Sequence, residues 1–205
     1  TDSGKTELDY AISLKMVLEL REIKVSEITG AIIGSVVPPV TSLMREAIRK
    51  VTGQEALVVN VDMNIGLEVL MDNPSSVGTD LIVGAVAGIN RYPVPLILID
   101  MGTATTICVV NENKQYIGGM ILPGIGVSMN SLTSRTAQLP RISLDPPKRL
   151  IGKNTVECMQ SGALYGNASC IDGMVDRIQE ELGQEATIVA TGGLAKRIIP
   201  LCRHR

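Results

Sequence analysis

The stretch Leu96–Gly124, LILIDMGTATTICVVNENKQYIGGMILPG, decides how this chain is read. A run of branched apolar residues ends on one carboxylate, Asp100, and Gly-Thr-Ala-Thr-Thr follows at once. A buried hairpin needs neither the acid nor the small hydroxyl residues, whereas a phosphate site uses both. In open α/β sheets ligands bind beyond the C-terminal ends of strands, which is where the pattern puts Asp100. Gly102 removes the side chain that would hold a phosphate off the backbone. Thr103, Thr105 and Thr106 add hydroxyl and N–H donors, so the group suits a polyphosphate with its cation. Taken alone, the same residues also read as a turn that begins with Asp.

The second half of the stretch predicts a β-hairpin, TTICVV and QYIGGMI joined by Asn111–Lys114. Gly118 and Gly119 would weaken a strand interior, so they mark a bulge or a close backbone approach. ILPG then turns into a helix from about 125 to 137, whose N-terminus can face the same anion. ATGGLA, at 190–195, repeats the theme of strand, glycine turn and helix start.

Upstream, Leu8, Ile12, Met16 and Leu20 have helical spacing and predict a surface helix over 7–23. Thr6 and Asp9 resemble a capping box for it. That reading of TDSGKT is preferred to a phosphate loop, because the first glycine of such a loop is absent. AIIGSVV reads as a buried strand stopped by Pro38-Pro39 in a tight turn. A helix over 41–51, a strand at ALVVNV, irregular chain over 61–74 and a small-residue helix over 78–91 follow. This alternation up to Asp100 predicts a largely parallel sheet covered by helices. Downstream, a Pro-rich stretch leads to a long helix over 155–182 with Gly183 as its C-cap. A new module begins near residue 97, giving an N-terminal α/β domain over 1–96 and a C-terminal one over 97–205.

The chain has 205 residues, 45% hydrophobic and 20% charged, enough to bury a real core. With four Tyr and no Phe or Trp, that core must be aliphatic. A net charge of −2 leaves no footprint for nucleic acid. The longest apolar run, Leu81–Ile89, is too short to span a bilayer, and no signal peptide is evident. Cys108, Cys158, Cys170 and Cys202 lack metal-ligand spacing and read as reduced core residues of a cytoplasmic protein. A second carboxylate, Asp80, opens the small-residue helix, where the helix dipole favours negative charge. It reads either as an end cap or as a general base for a substrate hydroxyl.

GSVVPPVT, NPSSVGTD, DMGTATT, GGMILPG, IGKNT, SGALYG and ATGGLA occur along the chain in that order. In order and spacing they resemble the type III pantothenate kinases. These are bacterial enzymes of the acetate and sugar kinase, Hsp-type chaperone and actin superfamily. The resemblance implies an actin-like ATPase fold of two similar α/β domains, the first truncated at its N-terminus. It implies ATP-dependent phosphorylation of pantothenate to 4'-phosphopantothenate, the first step of coenzyme A biosynthesis. Mg2+ and a monovalent cation, K+ or NH4+, would assist, in a cytoplasmic homodimer with no nucleic-acid or membrane partner.

Residue by residue, the resemblance makes Asp80 the catalytic base within Gly78-Thr79-Asp80-Leu81, where the family has Gly-Ala-Asp-Arg. It makes Asp100 the monovalent-cation residue and Thr103 an ATP contact, with Gly102, Thr105, Gly118 and Gly119 completing the ATP site. Gly78, Thr79, Leu81, Met71 and Thr155 fall to the pantothenate site, Thr155 reaching across a dimer interface. Three departures stand out. Leu81 replaces the substrate-holding Arg, and Met71 stands where a substrate-contacting Tyr aligns. The family's opening Asp-x-Gly-Asn-Thr hairpin is absent from this stretch. The expectation is therefore either that a segment precedes Thr1 or that the chain is a degenerate form with little kinase activity. Two alternatives follow: a paralogue phosphorylating another small alcohol, or a non-catalytic regulator like the Baf-type activators, a label some relatives once carried.

Overall fold

The computed structural model describes residues 4–60, 63 and 65–204. It is a mixed α/β structure that divides into two compact units, Thr1–Ile65 with Asp72–Gly84, and Gly66–Met71 with Ala85–Arg205.

In the first unit, helix α1 (Glu7–Leu20) opens on the expected capping box. The Thr6 hydroxyl accepts the Asp9 N–H, and the Thr6 N–H donates to the Asp9 carboxylate at 2.8 Å. The Thr6 hydroxyl and N–H hold the Asp9 carboxyl below its usual range. The helix turns a different face inward from the one its large apolar residues mark. Leu8, Ile12, Met16 and Leu20 are exposed, and the sheltered stripe is Glu7, Tyr10, Ala11, Leu14 and Leu18. Both series satisfy the helical period. Ala11 is the small residue that permits close approach to the second helix, where Ala47 is fully buried.

That second helix, α2 (Pro38–Thr52), begins on the proline pair instead of being preceded by a tight turn. Proline's fixed φ and missing N–H are well suited to the first helical positions. Gly53, at φ 71°, ends it in the left-handed region. Strands β1 (Ala31–Ile33) and β2 (Ala56–Val58) pair in parallel, with Ile32 opposite Leu57.

The second unit is built on a five-stranded sheet in the order β3-β6-β5-β4-β7. Its strands are β3 (Glu68–Val69), β4 (Leu96–Met101), β5 (Ala104–Val110), β6 (Gln115–Pro123) and β7 (Thr187–Thr191). The expectation of one largely parallel sheet up to Asp100 is corrected. β4 lies in a different sheet from β1 and β2, and runs antiparallel to β5 and parallel to β7. β3 lies within the stretch expected to be irregular.

One face of this sheet carries the core. Ile97, Ile99 and Met101 from β4 and Ile107 and Val109 from β5 meet helix α5 (Thr155–Leu182). α5 turns Leu164, Ala168, Ile171, Val175 and Ile178 toward them, an alternating spacing of four and three residues that keeps one stripe inward. Each fully buried Ile or Leu contributes about 1.5–3 kcal/mol. Across β4 the other face carries Leu96, Leu98 and Asp100. Helix α3 (Thr79–Ile89) comes close there at Gly88, where an added Cβ would lie 2.8 Å from Leu98 Cδ2.

The C-terminal segment is anchored on α5. Buried Asp172 accepts the Arg203 N–H at 2.9 Å and the His204 N–H at 3.2 Å, and His204 pairs with Asp176 at 2.7 Å. Burial, together with the Asp172 charge, pushes the neighbouring Cys202 thiol up to about 11. Cys108 and Cys202 are core residues as expected, but Cys158 is exposed and Cys170 half-buried. Asp172→Ala strands two backbone donors and is expected to lower stability by about 1–3 kcal/mol, read as a shifted urea midpoint.

Candidate active site

Side chains alternate across a strand, so Asp100 shares a face with Leu96 and Leu98 rather than with the buried Ile97, Ile99 and Met101. Its registered neighbours are Thr106 on β5 and Thr191 on β7. Directly opposite residues in a sheet bring their Cβ atoms close, so one carboxylate stands between two hydroxyls. Among the described residues no group of three or more His, Cys, Asp or Glu side chains could hold a metal. The Asp100 carboxylate and the hydroxyls of its registered neighbours Thr106 and Thr191 are oxygen donors, the type that suits a hard cation.

Beyond Asp100 the chain makes a tight turn, in which the Gly102 N–H donates to the Ala104 carbonyl at 3.0 Å. Asp100 leans toward it: Oδ1 lies 3.9 Å from where a Gly102 Cβ would be. Two further turns close on the same sheet edge. After β6, Gly124 lies so near the turn that an added Cβ would overlap the Thr103 carbonyl and come within 2.8 Å of the Gly102 carbonyl. After β7, Gly192 has φ 98°, and an added Cβ would be 2.6 Å from the Met101 backbone. Helix α4 (Ile125–Arg135) starts directly after Gly124 with no side-chain cap, so its first N–H groups remain available to an anion. Gly102 and Thr103 are themselves exposed. The arrangement is a backbone-walled cradle beside a carboxylate.

The structure separates other expected members from this cradle. Thr105 is buried on the α5 face, where it lines a cavity of about 250 Å3 with Ser128, Asn167 and Cys170. Gly118 and Gly119 lie in mid-strand, opposite Val109 and Cys108. Gly118 sits at φ 139° beside a register shift at Val109/Val110. An added Cβ at Gly119 would overlap the Ile107 carbonyl, so close approach of β5 explains that glycine. Met71 is next to Gly118, its sulfur 3.8 Å from the position of a Gly118 Cβ. Gly124, Thr191 and Gly192 were not singled out as site residues from sequence. Their signal was present in ILPG and ATGGLA, where glycine follows a strand.

In the first unit, Asp80 is exposed in the first turn of α3 and accepts the Leu81 N–H at 2.9 Å. A Cβ at Gly78 would come 2.5 Å from Asp80 Oδ1, so a side chain there would displace the carboxylate. Thr79 donates its hydroxyl to the Ser35 carbonyl, and Leu81 is half-buried. Thr155 is exposed at the first position of α5, behind an Asn154 cap that accepts the Glu157 N–H at 2.9 Å.

A family model for type III pantothenate kinase matches residues 1–177. A type III pantothenate kinase from Bacillus cytotoxicus is 47% identical over 198 residues, 97% of this chain and 76% of the relative. This chain belongs to the type III pantothenate kinase family. The crystal structure of a Baf family protein from Campylobacter jejuni superposes with a TM-score of 0.54 at 17% identity, covering 92% of this chain and 78% of that one. At that identity the likeness bears on fold alone. Beside Asp80, at the start of α3, this chain carries Thr79 and Leu81.

Proposed function

We propose that this chain catalyses ATP-dependent phosphorylation of pantothenate to 4'-phosphopantothenate, the entry step of coenzyme A biosynthesis. The observation that carries the reading is the near-complete coverage at 47% identity to a type III pantothenate kinase. Phosphoryl transfer is mostly positioning and charge neutralisation, so few catalytic side chains are required. Asp80 takes the proton of the attacking hydroxyl. The Gly102–Thr103 turn, walled by Gly124 and Gly192, takes the phosphates of ATP. Thr105, Gly118 and Gly119 act behind it by holding the sheet that carries the turn. Asp100, with the Thr106 and Thr191 hydroxyls, holds a monovalent cation, K+ or NH4+. Bound cations, Mg2+ included, supply neutralisation of phosphate charge.

Gly78, Thr79, Leu81 and Met71 form the acceptor side. In this reading the protein is a cytoplasmic homodimer and Thr155 serves the partner protomer's pantothenate. The exposed Leu150, Ile151 and Val156 around it, 63%, 75% and 42% accessible, support such an interface. An actin-like fold of two α/β domains, with the boundary in sequence near residue 96, is what this function implies. No described helix is long and apolar enough to cross a membrane.

Leu81 favours a second reading, in which the acceptor is another small alcohol without the carboxylate that an Arg would grip. The two are separated by ADP release with pantothenate set against a panel of uncharged alcohols. Leu81→Arg is expected to lower the KM for pantothenate about tenfold or more, since a charge-assisted hydrogen bond is worth about 1.5–3 kcal/mol. An unchanged KM in that variant, with an uncharged alcohol the better acceptor, favours the second reading.

A further inference from the structure

We infer that Thr79 is a positioning residue: its hydroxyl docks the first turn of α3 onto the segment between β1 and α2, and so sets where the Asp80 carboxylate stands. The inference rests on Asp80 being the base proposed above.

Thr79 Oγ1 lies 2.8 Å from the Ser35 carbonyl oxygen, although the two residues are 44 apart in sequence. Both are half-buried, so water competes weakly for the bond. The acceptor is itself held. The Ser35 hydroxyl accepts the Val37 N–H at 3.2 Å, and the Val37 carbonyl accepts the Thr41 N–H at 3.0 Å inside the first turn of α2. Packing follows the same line. Val36 Cγ1 is 3.4 Å from where a Gly78 Cβ would be, and Val83 Cγ2 is 3.4 Å from the Gly34 equivalent. An added Cβ at either glycine would thus stand in van der Waals contact across the seam, so the two segments are closely packed there.

Asp80 has no comparable tether. It is exposed, and its carboxylate accepts a hydrogen bond from the N–H of the adjacent Leu81. Such a side chain goes where its backbone goes. Within this turn, Thr79 makes the side-chain hydrogen bond that ties that backbone to a distant segment. The tether thus stands directly beside the base, one residue before it.

Thr79→Val keeps the branched shape and removes the donor, whereas Thr79→Ser keeps the donor. Misplacement of a catalytic group by about 1 Å can cost about a hundredfold, so Thr79→Val is expected to lower kcat roughly ten- to hundredfold, and Thr79→Ser, which keeps the donor, to recover most of that loss. KM for ATP is unchanged in both. In parallel, amide hydrogen exchange at Leu81 and Ile82 speeds up in Thr79→Val and not in Thr79→Ser. Equal losses of kcat in both variants, or parental kcat in Thr79→Val, overturn the inference. If the parent shows no pantothenate turnover, the kinase reading fails, and the exchange measurement still decides the docking: unchanged exchange in Thr79→Val refutes it.

Discussion

Asp80→Asn is expected to leave the protein folded and to remove phosphoryl transfer. The carboxylate is exposed and receives one hydrogen bond, from the Leu81 N–H at 2.9 Å. An Asn carbonyl can accept that bond too, though without the charge, so the first turn of α3 keeps its structure. What it cannot do is take a proton from an attacking hydroxyl. General base catalysis contributes about 10²–10⁴-fold, and turnover should fall by that factor while the thermal midpoint and ATP binding stay at parental values. Turnover at the parental rate would remove Asp80 from the chemistry.

A large stability effect is expected at Gly192. Its φ of 98° lies where L side chains are strained, and an added Cβ would be 2.6 Å from three backbone atoms of Met101. Met101 cannot yield, because β4 is held on both sides, by β5 and by β7. Strain and overpacking together put the cost of Gly192→Ala at roughly 2–6 kcal/mol. Because Met101 leads directly into the Gly102–Thr103 turn, nucleotide binding should weaken in the same variant. Gly193 is the internal control. An added Cβ there meets nothing within 4 Å, and its φ is ordinary. Gly193→Ala should therefore change stability by less than about 0.5 kcal/mol. Urea midpoints and nucleotide titration of the two variants check both statements.

Much of this could be read from residue order, for identifiable reasons. Long periodic segments with strong end signals were legible: α5 runs from Thr155 to the residue before Gly183, and α1 opens on the Thr6–Asp9 box. The hairpin was legible too, because Asn111–Lys114 separates two apolar runs. The inward face of α1 was not. Two interleaved series share the helical period, and packing on α2 chose the one with the small Ala11 over the one with the larger apolar residues. Sheet partnership was not legible either, since strand alternation gives direction without saying which strands pair. That is why β4 proves to belong with β5 and β7 and not with β1 and β2.

At the site, Asp100 and the Gly102–Thr103 turn were visible as chemistry out of place in an apolar run. The neighbouring threonines were not separable by type. Only the strand's alternation, once its register is known, sends Thr106 to the face of Asp100 and Thr105 to the buried one. Glycines divided in the same way. Those at 118 and 119 serve strand geometry, whereas those at 124 and 192 press against the turn. A glycine pair in sequence does not tell the two uses apart, because both arise from missing Cβ atoms.

Phosphoryl transfer to pantothenate is read by incubating the protein with ATP, Mg2+, K+ or NH4+ and pantothenate, and following the acceptor by mass. The expected result is a product heavier than pantothenate by one phosphoryl group, formed with one ADP each and at a rate about a hundredfold or more lower with Asp80→Asn. Unmodified pantothenate, in a sample that still binds ATP, would contradict it.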